Sequence, residues 1–235
     1  MKIALLGYGR MGKAIEKIAE NRGHQIVARW DENFQNDPLA EADVAINFSV
    51  PSAAVSNIQA AFGHQVPVVC GTTGWLDAYE TITQQAQAEN CGFLYASNFS
   101  VGVNLFFALN QHLAKLMAPY PEYQASLEEI HHVHKLDAPS GTAITLAEGI
   151  LKNDPRYSEW SLTAQQEHQL PIEALREPDV PGTHTVSYQS PIDTLEIRHE
   201  AHSREGFALG AVIAAEWLAG KSGIFSMNDV LNIKA

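Results

Sequence analysis

The sequence predicts an α/β protein in two parts. A parallel-sheet domain spans residues 1–100 and is completed by 207–235; a smaller α+β domain with a mixed sheet spans 101–206. Three observations predict this. Short apolar runs alternate with helix-period segments up to about Ser100, as where crossover helices link parallel strands. Beyond Ser100 the segments lengthen into an apolar-faced helix and alternating strands. Last, the strongly apolar "GFALGAVIAAEWLAGKSG" needs a large surface to pack against, which returns it to the first domain.

The elements follow in order. "KIALLG" is a buried strand closed by glycine. "RMGKAIEKIAENRG" sets Met11, Ile15 and Ile18 at helical spacing and stops at Gly23. "HQIVARW" is a second strand with Asp31 at its end, and "ADVAINFS" a third, entering a helix led by Pro51. "PVVCGTTG" is the fourth strand, "LDAYETITQQAQAEN" a helix and "CGFLYASNFS" the fifth strand. In the second part "GVNLFFALNQHLAKLMA" is a helix, "YQASLEEIHHVHK" alternates as a strand, and "SGTAITLAEGILK" is a helix opened by Ser140. Residues 152–181 are polar and Pro-rich. "THTVSYQSPIDTLEIRHEAHS" reads as two strands about a turn at Ser190-Pro191, and "GIFSMNDVLNI" closes the chain. There is no internal repeat or low-complexity tract.

Composition narrows the function. The 235 residues are 46 % hydrophobic with a formal net charge of −12, which argues against nucleic acid and anionic membrane surfaces as partners. No apolar run approaches the ~20 residues of a membrane span. "MKIALLGYGR" runs into glycines where a signal-peptide cleavage site would fall, so it is read as a first strand. Cys70 and Cys91 have no metal or redox spacing and are expected to be reduced, buried thiols of a cytoplasmic protein.

"GYGRMG", that is Gly7, Tyr8, Gly9, Arg10, Met11 and Gly12, fits G-x-G-x-x-G. It follows a strand, opens a helix, and has Asp31 at the end of the next strand, the context of a Rossmann-type dinucleotide site. Gly7 permits the tight turn, Gly9 lets a pyrophosphate approach the backbone, and Gly12 lets the helix pack closely. Free N–H groups at the helix start face the phosphates. Asp31 would accept hydrogen bonds from the ribose. A tight turn without ligand is the alternative. "GTTG" (Gly71, Thr72, Thr73, Gly74) and "SNFS" (Ser97, Asn98, Phe99, Ser100) end later strands, where ligands sit in open α/β sheets. Each could instead be an ordinary polar loop.

"IHHVHKLDAPSGTA" concentrates titratable nitrogen before a turn. A metal site is disfavoured: His131, His132 and His134 lack an H-x-x-x-H or Cys partner, and adjacent strand residues point to opposite faces. A structural role remains open; net charge disfavours a phosphate or nucleic-acid patch. A catalytic acid beside an anion cradle fits best. Histidine donates protons near neutrality, Lys135 adds positive charge, and Ser140, Gly141 and Thr142 start a helix whose N–H groups can receive a carboxylate. A non-catalytic dinucleotide sensor needs the glycine loop without this cradle; another small-substrate Rossmann dehydrogenase is a second competitor.

"EIHHVHKLDAPSGTA" resembles the signature of the 4-hydroxy-tetrahydrodipicolinate reductases, also called dihydrodipicolinate reductases. The likeness covers nearly the whole chain: "GYGRMG", "GTTG", "SNFSVGVN", "VPGT" at 180–183, "EIRHEAHSR" and "WLAGKSGIFSMNDVL". It implies reduction of a cyclic imine-type dicarboxylate by NADH or NADPH on the diaminopimelate and lysine route, in a cytoplasmic homotetramer assembled through the second domain's sheet. It gives His131 as proton donor, His132 as a substrate contact, Lys135 as a second proton donor, and Gly141 and Thr142 as carboxylate binders. Gly71–Thr73 and Ser97–Ser100 become cofactor contacts. No metal is implied. Asn47 stands where many members have an acid, Ser97 where alanine is frequent, and Glu32 where some have arginine; residues 183–199 look shorter than in the longer members. The Asp31-Glu32 pair leads to an expected preference for NADH, with NADPH usable.

Overall fold

The structure, a computed structural model, describes residues 1–31, 38–203 and 205–234. The chain divides into two compact units, Met1–Val101 with Glu205–Ala235, and Gly102–Arg204.

The first unit is built on a six-stranded parallel sheet. Its strands are β1 (Lys2–Leu6), β2 (Gln25–Trp30), β3 (Val44–Asn47), β4 (Val68–Cys70), β5 (Gly92–Tyr95) and, from the end of the chain, β11 (Gly223–Phe225). Their order is β11-β5-β4-β3-β1-β2, so the winding reverses between β1 and β3. Ligands of open α/β sheets sit outside the strand ends at such a reversal. Both sheet faces are buried, which is why the strands are apolar throughout instead of alternating. Ile3 and Leu5 face α1 (Arg10–Asn21) and α6 (Glu205–Leu218), while Ala4 and Leu6 face α2 (Pro51–Gly63) and α3 (Tyr79–Ala88). The inner face of α6 is small-residue rich, with Ala208, Ala211, Ala214 and Ala215 fully buried. A side chain at Gly210 would collide with the carbonyl of Phe99, so only glycine admits that approach.

The second unit has a five-stranded mixed sheet of order β10-β9-β6-β8-β7. The strands are β6 (Gln124–His131), β7 (Glu159–Ser161), β8 (Gln169–Arg176), β9 (Thr183–Gln189) and β10 (Thr194–Glu200). α4 (Val101–Met117) and α5 (Gly141–Asn153) cover one face through Phe106, Met117, Leu146 and Ile150, against Leu127, Leu170, Ile172, Val186 and Tyr188. The other face presents Ser126, Glu128, Glu173, Ser187 and Glu196.

The structure assigns elements to two segments that the sequence left open and corrects the extent of one strand. Residues 152–181, read only as polar and Pro-rich, contain β7 and β8. Pro171 is tolerated because the β6 ladder begins only at Ile172, so its missing N–H interrupts nothing there. β6 ends at His131 and does not continue to Lys135; the Lys135 N–H donates to the His132 carbonyl at 3.0 Å in a turn. The closing segment is a strand, β11, and a short helix, α7 (Met227–Val230). Cys70 and Cys91 are buried free thiols, and burial pushes them up to about 12 and about 11.

Candidate active site

The first unit gathers the glycine loop and three other loops at the strand ends around the reversal. Gly7 has φ +105°, a region that L side chains rarely adopt, and a Cβ there would strike the Phe48 carbonyl. A Cβ on Gly12 would strike the Gly7 carbonyl. These two glycines are required by packing. Gly9 is different: a Cβ would meet nothing within 4 Å, so its bareness leaves open space over the helix start. No side chain caps α1 and its first turn holds no acid, which leaves its N–H groups and positive dipole end to an anion. A pyrophosphate fits this loop.

Around it, Tyr8 donates its hydroxyl to Glu16, and Arg29 binds the same carboxylate. Arg10 is exposed, Met11 packs partly into the core, and Asp31 is exposed beyond β2. Glu32 lies outside the described residues. The side chain of Thr72 is structural, since its Oγ1 accepts the Ser49 N–H at 2.9 Å; Gly71 packs on the Phe48 ring and Thr73 is exposed. Ser97 is exposed, the Asn98 Oδ1 accepts the Ser100 N–H at 2.9 Å, and Phe99 is 2 % exposed within the core. Phe99 therefore shapes the loop through its side chain and leaves only its backbone for a ligand. Asn47 is fully buried, and its amide donates to the Ala54 carbonyl at 3.2 Å.

The second unit holds an ionic cluster that sheet register assembles. Along the inner face of β6, Ala125 and Leu127 are followed by Glu129 and His131. Glu129 is paired across the antiparallel ladder with His184 of β9, and His131 across the parallel ladder with Arg176 of β8. Glu129 is fully buried. Its Oε2 accepts the Ser140 N–H at 2.9 Å and its Oε1 accepts from the Arg176 guanidinium at 3.1 Å. Burial alone would raise this carboxyl; bonding from His184 and Ser140 and the charge of His131 outweigh it and hold it at about 2.

His131 Nδ1 is buried 3.6 Å from Glu129 Oε2, and among the described residues no other partner reaches it. Its ring stands edge-on to His184 at 5.0 Å. Burial, reinforced by the positive groups around it, pushes His131 down to about 4. His184 Nε2 lies 3.1 Å from Ser140 Oγ, which accepts the Ala143 N–H at 3.2 Å and so caps α5. Glu129, His131 and His184 each offer a ligand atom within 4.8 Å of the others, a grouping that could hold a metal ion. Arg176 already supplies the positive charge that such an ion would bring.

His132 is half-buried, with a buried Nδ1 that finds no partner among the described residues. Lys135 is held by Asp137, with Nζ at 2.9 and 2.8 Å from the two carboxylate oxygens. Gly141 and Thr142 form the first turn of α5, and a Cβ on Gly141 would meet nothing within 4 Å. Because Ser140 caps only the Ala143 N–H, the N–H groups of Gly141 and Thr142 remain to serve a ligand near a buried imidazole and an ammonium, a combination that can bind a carboxylate and deliver a proton. Sequence reading missed Glu129, Arg176, Gly182 and His184. Glu129 was the most findable, since a residue two before His131 on a strand shares its face.

Residues 1–99 match the family profile "Dihydrodipicolinate reductase, N-terminus", and residues 102–231 match "Dihydrodipicolinate reductase, C-terminus". A 4-hydroxy-tetrahydrodipicolinate reductase of Christiangramia forsetii is 56% identical over 234 residues, covering 99% of this chain and 98% of that one. Among solved structures, a dipicolinate-bound dihydrodipicolinate reductase from Paenisporosarcina sp. TG-14 superposes with TM-score 0.77 at 22% identity over 96% of this chain and 97% of that one. A C. glutamicum DAP dehydrogenase in complex with DAP gives TM-score 0.54 at 14% identity over 100% and 94%. At those identities the two structures speak for the fold. The family profiles and the full-length relative go further: the chain belongs to the dihydrodipicolinate reductase family.

Proposed function

We propose that the chain reduces 4-hydroxy-tetrahydrodipicolinate to tetrahydrodipicolinate with NADH or NADPH, on the diaminopimelate and lysine route. The observation that carries this reading is the buried His131 beside the open start of α5, in a chain that shares 56% of its residues with a reductase of that name.

The nicotinamide, when bound, supplies a hydride. The glycine loop Gly7–Gly12 holds its pyrophosphate on the N–H groups of α1. Asp31 would take ribose hydroxyls, and the backbone of Gly71–Thr73 and Ser97–Ser100 would hold the nicotinamide. One substrate carboxylate sits on the N–H groups of Gly141 and Thr142, with the Thr142 hydroxyl and the His132 imidazole beside it. His131 would give up the proton that balances the hydride. His131 starts neutral at pH 7, because burial holds it at about 4. The negative charges of the substrate favour its protonation, so proton uptake accompanies binding. Lys135 swings from the exposed Asp137 to the developing charge and acts as a second donor.

NADH is the preferred donor, since Asp31 would face the 2′-phosphate of NADPH and Arg29 is engaged by Glu16. The working state is a cytoplasmic homotetramer built through the second unit's sheet. Among the described residues no helix is long and apolar enough to cross a membrane, and Ile192 (90%), in the turn before the outer strand β10, and Leu195 (43%), within that strand, are exposed.

The test is steady-state kinetics with substrate generated in situ. His131→Gln lowers kcat by roughly 10²–10⁴. Lys135→Ala lowers kcat and raises KM for substrate. NADH affinity stays near wild type in both. Near-normal turnover in both variants, or a protein that binds NADH and turns over nothing, overturns the reading.

A further inference from the structure

We propose that Glu129 is a positioning residue for His131: its carboxylate keeps the imidazole proton on Nδ1, leaves Nε2 to face the substrate side, and stabilises the imidazolium that delivers the proton. The proposal rests on the reading of His131 as the donor.

The geometry has three parts. First, Glu129 Oε2 is the acceptor facing the buried His131 Nδ1, at 3.6 Å, and that nitrogen has no other partner among the described residues. A small rotation of the imidazole closes the gap to a hydrogen bond. Second, Glu129 cannot drift. It is fully buried, Oε2 is fixed by the Ser140 N–H and Oε1 by Arg176. The same carboxylate thereby ties the imidazole to the start of α5, where the substrate carboxylate is received. Third, the space at Nε2 depends on a glycine. Gly182 lies over it, and a side chain there would begin 3.1 Å from Nε2. Glycine at 182 thus leaves the donor nitrogen uncovered.

Electrostatics require such a residue. Lys135, Arg176 and His184 all face His131 and disfavour a charged ring, as burial does. Glu129 alone among these groups favours it. Without the carboxylate, proton uptake at Nε2 would have to overcome three positive or potentially positive neighbours. His199 of β10 is paired with His184 and lies one strand further out.

Two measurements test this. The first is a long-range 15N–1H spectrum of histidine-labelled wild type at pH 7.5, with His131 assigned through His131→Gln. The expected result is an Nδ1–H tautomer; an Nε2–H tautomer overturns the proposal even if every variant misfolds. The second is the pH profile of kcat for Glu129→Gln, in which the amide oxygen can still accept from Ser140. Its basic limb should move acidward by about one unit or more, a tenfold loss per unit on that limb. KM should hold, and Glu129→Asp should recover part of kcat. A folded Glu129→Gln with an unmoved limb, or a loss confined to KM, overturns the proposal. Wild-type kcat in His131→Gln would instead remove the donor reading, a result separate from the tautomer.

Discussion

At the residue scale, the cluster around Glu129 couples folding to pH. Glu129 is held at about 2, below its ordinary 4.5, so its stabilisation is complete above about pH 4.5 and fades as pH falls toward 2. His131 is held at about 4, below its ordinary 6.5. Between those values the unfolded chain binds a proton that the folded chain refuses, so stability also falls as pH drops from 6.5 to 4. The two effects have the same sign. Thermal denaturation should show a Tm that declines from pH 7 to pH 4, by up to ~1.4 kcal/mol of stability per pH unit from the one imidazole. His131→Gln should flatten the curve between pH 6.5 and 4 and leave the steeper acid limb. An unchanged slope in that variant would mean that the ring is not neutral in the native state.

At the element scale, the glycines separate into those the fold needs and those a ligand needs. Gly7 combines φ +105° with a backbone collision, so Gly7→Ala should cost about 1–3 kcal/mol or more in stability. Gly9 and Gly141 each begin a helix, and a Cβ on either meets nothing within 4 Å. Gly9→Ala and Gly141→Ala should therefore keep or slightly raise Tm, since alanine restricts the unfolded chain. Their losses should fall on different ligands: Gly9→Ala on NADH affinity, Gly141→Ala on KM for the dicarboxylate. Calorimetric melting with fluorescence titration of NADH separates the three. Equal losses of Tm across them would show that both open glycines are structural.

At the scale of the whole molecule, a net charge of −12 works against every ligand in the proposed reaction. Binding must come from local arrays of donors, which is why helix starts and the Lys135–Arg176 region matter more than the mean field. NADPH adds a phosphate to this opposing field and, beside Asp31, each unit-charge contact at ~4–5 Å costs a few kcal/mol before screening. We expect kcat/KM to favour NADH over NADPH, and the ratio to shrink as ionic strength rises. Steady-state assays with both nucleotides at two salt concentrations check this. A preference for NADPH would place the 2′-phosphate on Arg10 or another cation, away from Asp31.

The sequence by itself determined the parallel sheet and its first helices, because buried strands and amphipathic helices are local patterns. "KIALLG" and "RMGKAIEKIAENRG" needed nothing distant to be read. It also determined the glycine loop and the His-Lys segment, whose chemistry lies within a dozen consecutive residues. Tertiary structure decided what register alone brings together. Glu129, His184 and Arg176 lie on three strands, and nothing in their own neighbourhoods marks them as partners of His131. β8 lay within a segment that reads only as polar and Pro-rich, and the place of Pro171 in it depends on where the β6 ladder begins. Lys135 read as the charge beside His131, yet its nearest carboxylate is Asp137, two residues on. Local patterns record what a segment forms; pairing across strands is a property of the closed sheet, and the depressed imidazole exists only once burial and three neighbouring cationic or imidazole groups surround it.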